Sequence, residues 1–263
     1  MAKSRYEYVK QFELDDSALP GTWMVVRIDG RGFHGFTDMH KFEKPNDLRA
    51  IHLMNRAALE VVGNIRDIII AYGQSDEYSF VLPASSTLYS RRISKITSTI
   101  VSLFASNYTM HWAEYFPDTK LLVPPCFDAR LVCYPTQRIL RDYLSWRQAD
   151  CHINNLYNTT FWAIVHSGKS EQEAEEKLRG TFSKDKNEIL YSDFNINYNT
   201  LDAVYRKGSV IIRQETEVKS VSQKSGEEVI RLKRLPTVLH DDIIGNEFWK
   251  KHPELLVSSQ EYE

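Results

Sequence analysis

Two short stretches of the chain set carboxylates where an apolar run ends: Arg27-Ile28-Asp29-Gly30-Arg31-Gly32-Phe33, and Gly73-Gln74-Ser75-Asp76-Glu77. Two carboxylates brought to ~4 Å repel by about 4 kcal/mol at the effective dielectric near a protein surface, so a folded site needs a proton or a cation between them. Mg²⁺ suits such a pair. It takes oxygen ligands, is held by one or two carboxylates plus substrate phosphates, and two ions ~3.5–4 Å apart clamp an in-line displacement at phosphorus. Asp29 and Asp76 together therefore point to phosphoryl chemistry, with the Gly30 carbonyl as a further ligand and the backbone from Gly30 to His34 available to a triphosphate. Each stretch alone reads as a strand-ending turn; the pairing favours the metal site. Lys44, Arg91, Arg92 and Lys95 supply nearby positive charge, although each taken singly is a solvated helix end.

The pair acts together only if the fold joins it. Thr22 to Ile28 is a short apolar, β-branched run stopped by Asp29-Gly30, which predicts a buried strand. Pro45-Asn46-Asp47 opens a helical pattern of Leu48, Ile51, Ala58, Leu59 and Val62, with Asn46 or Asp47 as N-cap and Gly63 as stop. Two strands follow, 67–72 and 77–82, joined by a tight turn over residues 73–76. Residues 90–115 carry Ile93, Ile96, Ile100, Leu103 and Phe104 at helical intervals, and residues 127–134 read as a fourth strand after Pro124-Pro125. The order is β-α-β-β-α-β, an α+β fold of the ferredoxin-like kind. In that topology the first strand lies between the third and fourth, antiparallel to the third. Asp29 and Asp76 then meet at one edge of the sheet.

Beyond Pro135 a long helix is predicted over 138–165, with Tyr143, Trp146, Ile153, Tyr157, Phe161 and Ile164 on its buried side. Its other side lacks the usual Lys/Glu coat: from Gln148 to Val165 the only formally charged residue is Asp150. Short helices follow over 170–179 and 184–191. Residues 210–218 and 229–235 form a predicted hairpin around Ser225-Gly226, and the tail after Pro236 has no evident element. The chain divides into a catalytic part, 1–135, and a helical and hairpin extension, 136–263, packed together as one unit.

Composition narrows the class further. Apolar residues make up 42% and charged residues 26% of the chain, close to ordinary globular values, which sets aside disorder. No apolar run approaches the ~18 residues of a spanning helix. The N-terminus has no apolar signal segment, and Glu7, Glu13, Asp15 and Asp16 argue against a transit peptide, so cytoplasmic or nuclear residence is expected. Cys126, Cys133 and Cys151 have no metal-ligand spacing and suit a reducing compartment. A formal net charge of -2 does not favour nucleic acid, but residues 206–234 hold eight Lys/Arg against four Asp/Glu.

At this level of detail the sequence resembles the tRNA-histidine guanylyltransferase family. The similar blocks, in order, are Arg27-Ile-Asp-Gly-Arg-Gly-Phe33, Lys44-Pro-Asn-Asp47, Tyr72-Gly-Gln-Ser-Asp-Glu-Tyr-Ser-Phe80, Ser145-Trp-Arg-Gln-Ala-Asp-Cys-His-Ile-Asn-Asn-Leu-Tyr157, Asp185-Lys-Asn-Glu188, Phe194-Asn-Ile-Asn-Tyr198 and Tyr205-Arg-Lys-Gly208. They span roughly residues 5 to 212. The resemblance implies a polymerase-palm-type domain that adds one guanosine to the 5′ end (position −1) of tRNA-His. The 5′-phosphate is activated with ATP, the GTP 3′-hydroxyl attacks, and pyrophosphate is removed. It implies two Mg²⁺ ions on Asp29, Asp76 and the Gly30 carbonyl. The implied guanine-nucleotide site is Asp29, Gly30, Arg31, Gly32, Phe33, His34, Ser75 and Asp76, in a homotetramer built as a dimer of dimers.

Given such a reaction, Lys44, Arg92 and Lys95 are expected to hold the displaced triphosphate. Glu77, pointing to the other side of its strand from Asp76, is expected to be structural. The neutral face of Gln148, His152 and Asn155 is a candidate RNA contact, with Lys186, Asn197 and Lys207 adding phosphate or base contacts. A subunit interface or a satisfied buried network is an equal alternative for that face. Two other functions remain open: a nucleotidyl cyclase-like enzyme on the same two carboxylates, and a non-catalytic RNA-binding module of ferredoxin-like shape.

Overall fold

A computed structural model describes residues 4–221 and 228–256. Its frame is one six-stranded sheet in the order β4-β1-β3-β2-β5-β6, with every neighbouring pair antiparallel. The strands are β1 Trp23–Gly30, β2 Ile70–Gln74, β3 Glu77–Leu82, β4 Phe127–Tyr134, β5 Ser209–Val221 and β6 Glu228–Leu239. As the order of elements predicts, β1 lies between β3 and β4.

The helices are α1 Phe33–Met39, α2 Leu48–Asn64, α3 Ile93–Met110, α4 Trp112–Tyr115, α5 Gln137–His166, α6 Glu171–Leu178, α7 Ser183–Phe194, α8 Ala203–Lys207 and α9 Asn246–Lys251. Alternation along the strands splits the burial between two faces. Met24, Val26 and Ile28 of β1, with Tyr78, Phe80 and Leu82 of β3, pack under Leu53, Ala57 and Val61 of α2 and Ile96, Ile100 and Phe104 of α3. Trp23, Val25 and Val81 face the other way, onto Leu140, Tyr143 and Leu144 of α5 and Phe248 and Trp249 of α9. The tail that has no pattern in the sequence thus closes the second core. Its apolar residues are too few and too widely spaced for a periodicity.

Asp47 is the N-cap of α2, its carboxylate accepting from the Arg49 N–H at 3.0 Å. α5 matches its predicted span to within a residue at each end, and Thr136 caps it through the Ile139 N–H at 3.2 Å. Several elements differ from the prediction, among them β2, which occupies Ile70–Gln74 in place of 67–72. The helix expected over 90–115 breaks in two at His111 (φ −93°, ψ 2°) and starts only after Tyr89, Ser90 and Arg91, which are all left-handed. The hairpin turn shrinks to Ser75-Asp76 because Gln74 pairs with Glu77. α1 has no counterpart in the prediction, being too short for an apolar period. The Ser225-Gly226 turn lies outside the described residues, while the strands on either side are longer than predicted, pairing from Val210↔Leu239 to Val221↔Glu228.

Candidate active site

Asp29 stands one residue from the end of β1, opposite Glu77 of β3 on one side and Asp128 of β4 on the other. Just past that register, the Gly30 N–H donates to the Asp76 carbonyl at 3.1 Å, so Asp76 is tied beside the end of β1. Gly30 allows the approach: a Cβ there would stand 2.7 Å from Asp76 Oδ2 and 2.4 Å from Phe33 Cδ2. The three residues expected to hold metal are therefore contiguous.

Acids cluster at this end, and the flanking ones are met by arginines, Asp128 by Arg130 at 3.2 Å. Like charges directly opposite across strands destabilise a sheet, and here Asp128, Asp29 and Glu77 stand in register across β4, β1 and β3. Burial pushes the Asp76 carboxyl above the ordinary range, and Asp29 adds to that rise, against hydrogen bonds from its own backbone and Ser75. Glu77 is also raised, chiefly by burial, with Arg147 and then Arg27 pulling it down and Asp29 raising it. Arg147 Nη1 sits 3.1 Å from Glu77 Oε2 and Arg27 Nη1 sits 3.9 Å away. Glu77 is thus engaged by two buried or half-buried arginines. Sequence reasoning missed Arg147, which lies unremarked inside the Ser145–Tyr157 block; its position on the sheet-facing side of α5 was the available signal.

The nucleotide candidates divide by what their side chains do. Arg31 and His34 are exposed, and His34 Nε2 lies 3.3 Å from Asp38 of α1. Lys44 Nζ reaches the same Asp38 at 3.1 Å, so α1 links it to the Gly30–His34 stretch. The Phe33 ring is buried against Phe36, Tyr108 and Phe127, leaving only its backbone for a ligand. Ser75 is exposed at the tip of the turn with φ 49°. Arg92 and Lys95, expected near the carboxylates, are exposed at the start of α3 beside the approach to β1; α3 reaches the Phe33 end of the sheet only at Tyr108, so the structure does not bring these two cations to Asp29 and Asp76. Arg91, by contrast, is buried.

Comparison with known proteins adds the rest. The family model described as "tRNAHis guanylyltransferase" matches residues 6–135, and that described as "Thg1 C terminal domain" matches residues 138–245. The chain belongs to the tRNAHis guanylyltransferase family. Relatives include the probable tRNA(His) guanylyltransferases of Dictyostelium discoideum, 55% identical over 98% of this chain and all of that one, and of Bos taurus, 54% identical over 97% and 89%. The crystal structure of the Saccharomyces cerevisiae tRNA(His) guanylyltransferase superposes with a TM-score of 0.76 at 45% identity, covering 87% of this chain and 96% of that one. A bacterial tRNA(His) guanylyltransferase-like protein in complex with ATP shares the fold, at a TM-score of 0.75 and 23% identity over 97% and 100% of the two chains.

In this member of the tRNAHis guanylyltransferase family, two of the RNA candidates on α5 are corrected by burial. Gln148 donates to the Lys207 and Asp241 carbonyls, both at 2.9 Å, and accepts from the Ile243 N–H at 2.8 Å. Asn155 accepts from Asn46 at 2.9 Å and donates to the Tyr198 hydroxyl at 3.1 Å. Both amides are spent on the fold, because an uncharged helix face costs little to bury once every donor finds a partner. His152 is half-buried, its ring edge-on to Tyr198 at 5.2 Å, and burial followed by Arg206 lowers its pKa. Asn197 is exposed, and its side chain accepts from the Asn199 N–H. Lys186 and Lys207 are half-exposed, with Lys186 Nζ donating to the Thr181 carbonyl at 2.8 Å.

Proposed function

We propose that this protein is a nucleotidyltransferase that adds a guanosine to the 5′ end of tRNA-His. ATP transfers AMP to the 5′-phosphate with release of pyrophosphate, the GTP 3′-hydroxyl attacks that phosphorus and displaces AMP, and pyrophosphate is then cleaved from the 5′-triphosphate of the added guanosine. The observation that carries this reading is the convergence of Asp29, Gly30 and Asp76 at one end of β1 in a chain of this family. The βαββαβ order, with β1 between β3 and β4, supports a ferredoxin-like, polymerase-palm type of catalytic part over 1–135. Residues 136–263 would serve tRNA binding and assembly into a homotetramer.

The donor set fits Mg²⁺. It offers two carboxylates and a backbone carbonyl, all hard oxygens, and with Glu77 paired to Arg147 and Arg27 and Asp128 to Arg130, Asp29 and Asp76 are the carboxylates left for a cation. Among the described residues no cluster of three or more His, Cys, Asp or Glu side chains forms, so substrate phosphates would complete the coordination. Two Mg²⁺ ions held by Asp29, Asp76 and the Gly30 carbonyl would neutralise charge on the triphosphate and acidify the attacking hydroxyl.

The chain's own residues do the remainder. Backbone N–H groups from Gly32 to His34 line the nucleotide, the Arg31 N–H being held by the Cys126 carbonyl at 2.8 Å, with Phe33 contributing main chain only. Lys44 binds the triphosphate as a point charge, while Arg92 and Lys95 stand at the start of α3, at the other end of the sheet from Asp29 and Asp76. Ser75 extends the guanine-nucleotide site from the hairpin tip. His152, Lys186, Asn197 and Lys207 are the RNA contacts that remain.

The test is to incubate the protein with ATP, GTP, Mg²⁺ and tRNA-His and sequence the RNA 5′ end. One added G is expected, and Asp76→Ala should lower the rate by at least ~10³-fold, the scale of losing transition-state electrostatics. A cyclic nucleotide formed without RNA, or unchanged addition by Asp76→Ala, would overturn the assignment.

A further inference from the structure

Lys44 lies on the loop 40–47 between α1 and α2, and three ties fix that loop. Asp47, its carboxylate almost fully buried, accepts from the Glu43 N–H at 3.1 Å and the Arg49 N–H at 3.0 Å, closing the loop on itself. The Lys44 ammonium meets α1, 3.1 Å from Asp38 Oδ1 and 3.5 Å from Thr37 Oγ1. The third tie crosses to another part of the fold: Asn46 Nδ2 donates to Asn155 Oδ1 of α5 at 2.9 Å. Among the described residues this is the one hydrogen bond that joins the 33–64 segment to α5.

Asn155 is a fixed anchor. It is buried on α5, and its Nδ2 donates to the Tyr198 hydroxyl at 3.1 Å, which in turn donates to the His152 carbonyl at 3.3 Å. A buried amide whose oxygen and nitrogen are both engaged is held in one orientation. Two helical turns further along the same side of α5 comes Trp162, whose ring centre is 5.9 Å from Lys44 Nζ. Asn46 and Lys44 thus meet one side of α5, the first through Asn155 and the second through Trp162. The loop is laid along α5 rather than left to swing from α1.

We propose that Asn155 is a positioning residue for Lys44: by holding Asn46 it sets the 43–47 loop against α5, so that the ammonium reaches the triphosphate from one fixed place. This rests on the phosphate role given to Lys44 above. Lys44 joins the nucleotide stretch through Asp38, which also meets His34. A lysine on a flexible stem loses side-chain freedom on binding phosphate, and a stem already placed loses less. Asn155 acts at one remove and touches no substrate.

The full chain with tRNA-His, ATP, GTP and Mg²⁺ tests this. Lys44→Ala should raise the KM for ATP or for GTP, and that nucleotide is the one to follow. Asn155→Ala and Asn46→Ala break the same bond from its two sides, and each should raise that KM about 3- to 10-fold while kcat at saturation holds. Loss of folded protein would lower kcat and leave KM in place, so the split separates positioning from stability. In the Lys44→Ala background Asn46→Ala should add nothing, since the group it positions is gone. KM rises that multiply in that double variant, an unchanged KM in Asn46→Ala, or a rise only in the KM for tRNA-His overturn the positioning role. An unchanged KM for both nucleotides in Lys44→Ala overturns the phosphate role beneath it.

Discussion

A carboxylate that burial holds above its ordinary pKa has a readable consequence, and Asp76 is that residue. Because its folded-state pKa is raised, the folded chain keeps a proton where the unfolded chain has released it. The metal-free protein therefore loses stability as pH rises through the window just above the ordinary carboxylate range. Mg²⁺ should reverse this at neutral pH, since a cation bound only by the folded state stabilises it by mass action. Asp76→Asn is expected to remove both effects: melting curves of the two proteins, with and without Mg²⁺, should diverge as pH climbs and as metal is added. Parallel curves would show that Asp76 neither titrates nor binds as described. The pair itself was legible in the sequence, as two acids ending apolar runs. The crowd of acids around it was not, because Asp128 joins Asp29 only through the register of β1 with β4.

The elements that hold this crowd together are β3 and α5. Glu77 faces α5, and Arg147 crosses to it from a side chain only 6% exposed while stacking on the Trp146 ring at 3.4 Å. Breaking one partner of a buried pair leaves the other charge uncompensated, at a cost of about 3–5 kcal/mol. Arg147→Met should lose stability on that scale in urea, and Glu77→Gln added to it should recover part of the loss. Equal midpoints for Arg147→Met and the unsubstituted protein would deny the pair any structural weight. Helix α5 is also where reading by side-chain type runs out. Its span follows from its apolar period but its burial does not: Trp146, Ile153 and Tyr157, expected on the buried side, are exposed, while Gln148 and Asn155 have the chemistry of base-reading residues and the burial of core ones. Nothing local distinguishes the two uses. The partners of Gln148 come from Lys207, Asp241 and Ile243, more than fifty residues away in sequence.

Across the whole molecule, the two segments matched by separate family models share a sheet. β2 pairs with β3 on one side and with β5 on the other, and Gly73 faces Ser209 across that seam. Gly208, with φ 72°, lies so close that a Cβ would stand 2.6 Å from the Gly73 carbonyl, and Tyr72 Oη donates to the Lys207 carbonyl at 3.0 Å. The order of the first four strands was legible because each has its own apolar run. That β5 adds to β2 was not, since a hairpin pattern does not say which edge it joins. Heating should therefore give a single transition for the full chain, with nucleotide-site and C-terminal probes melting together. Two separated transitions would contradict the shared sheet.

The seam between β2 and β5 also bears on how such a protein can be taken apart. Residues 1–135 made alone would keep both carboxylates yet turn β2, a buried interior strand of the full sheet, into an open edge in place of β6, offering unpaired N–H and C=O groups to any passing strand. The catalytic half would be a poor candidate for a portable enzyme, prone to stick to itself before it could be assayed. The extension acts first as a hem.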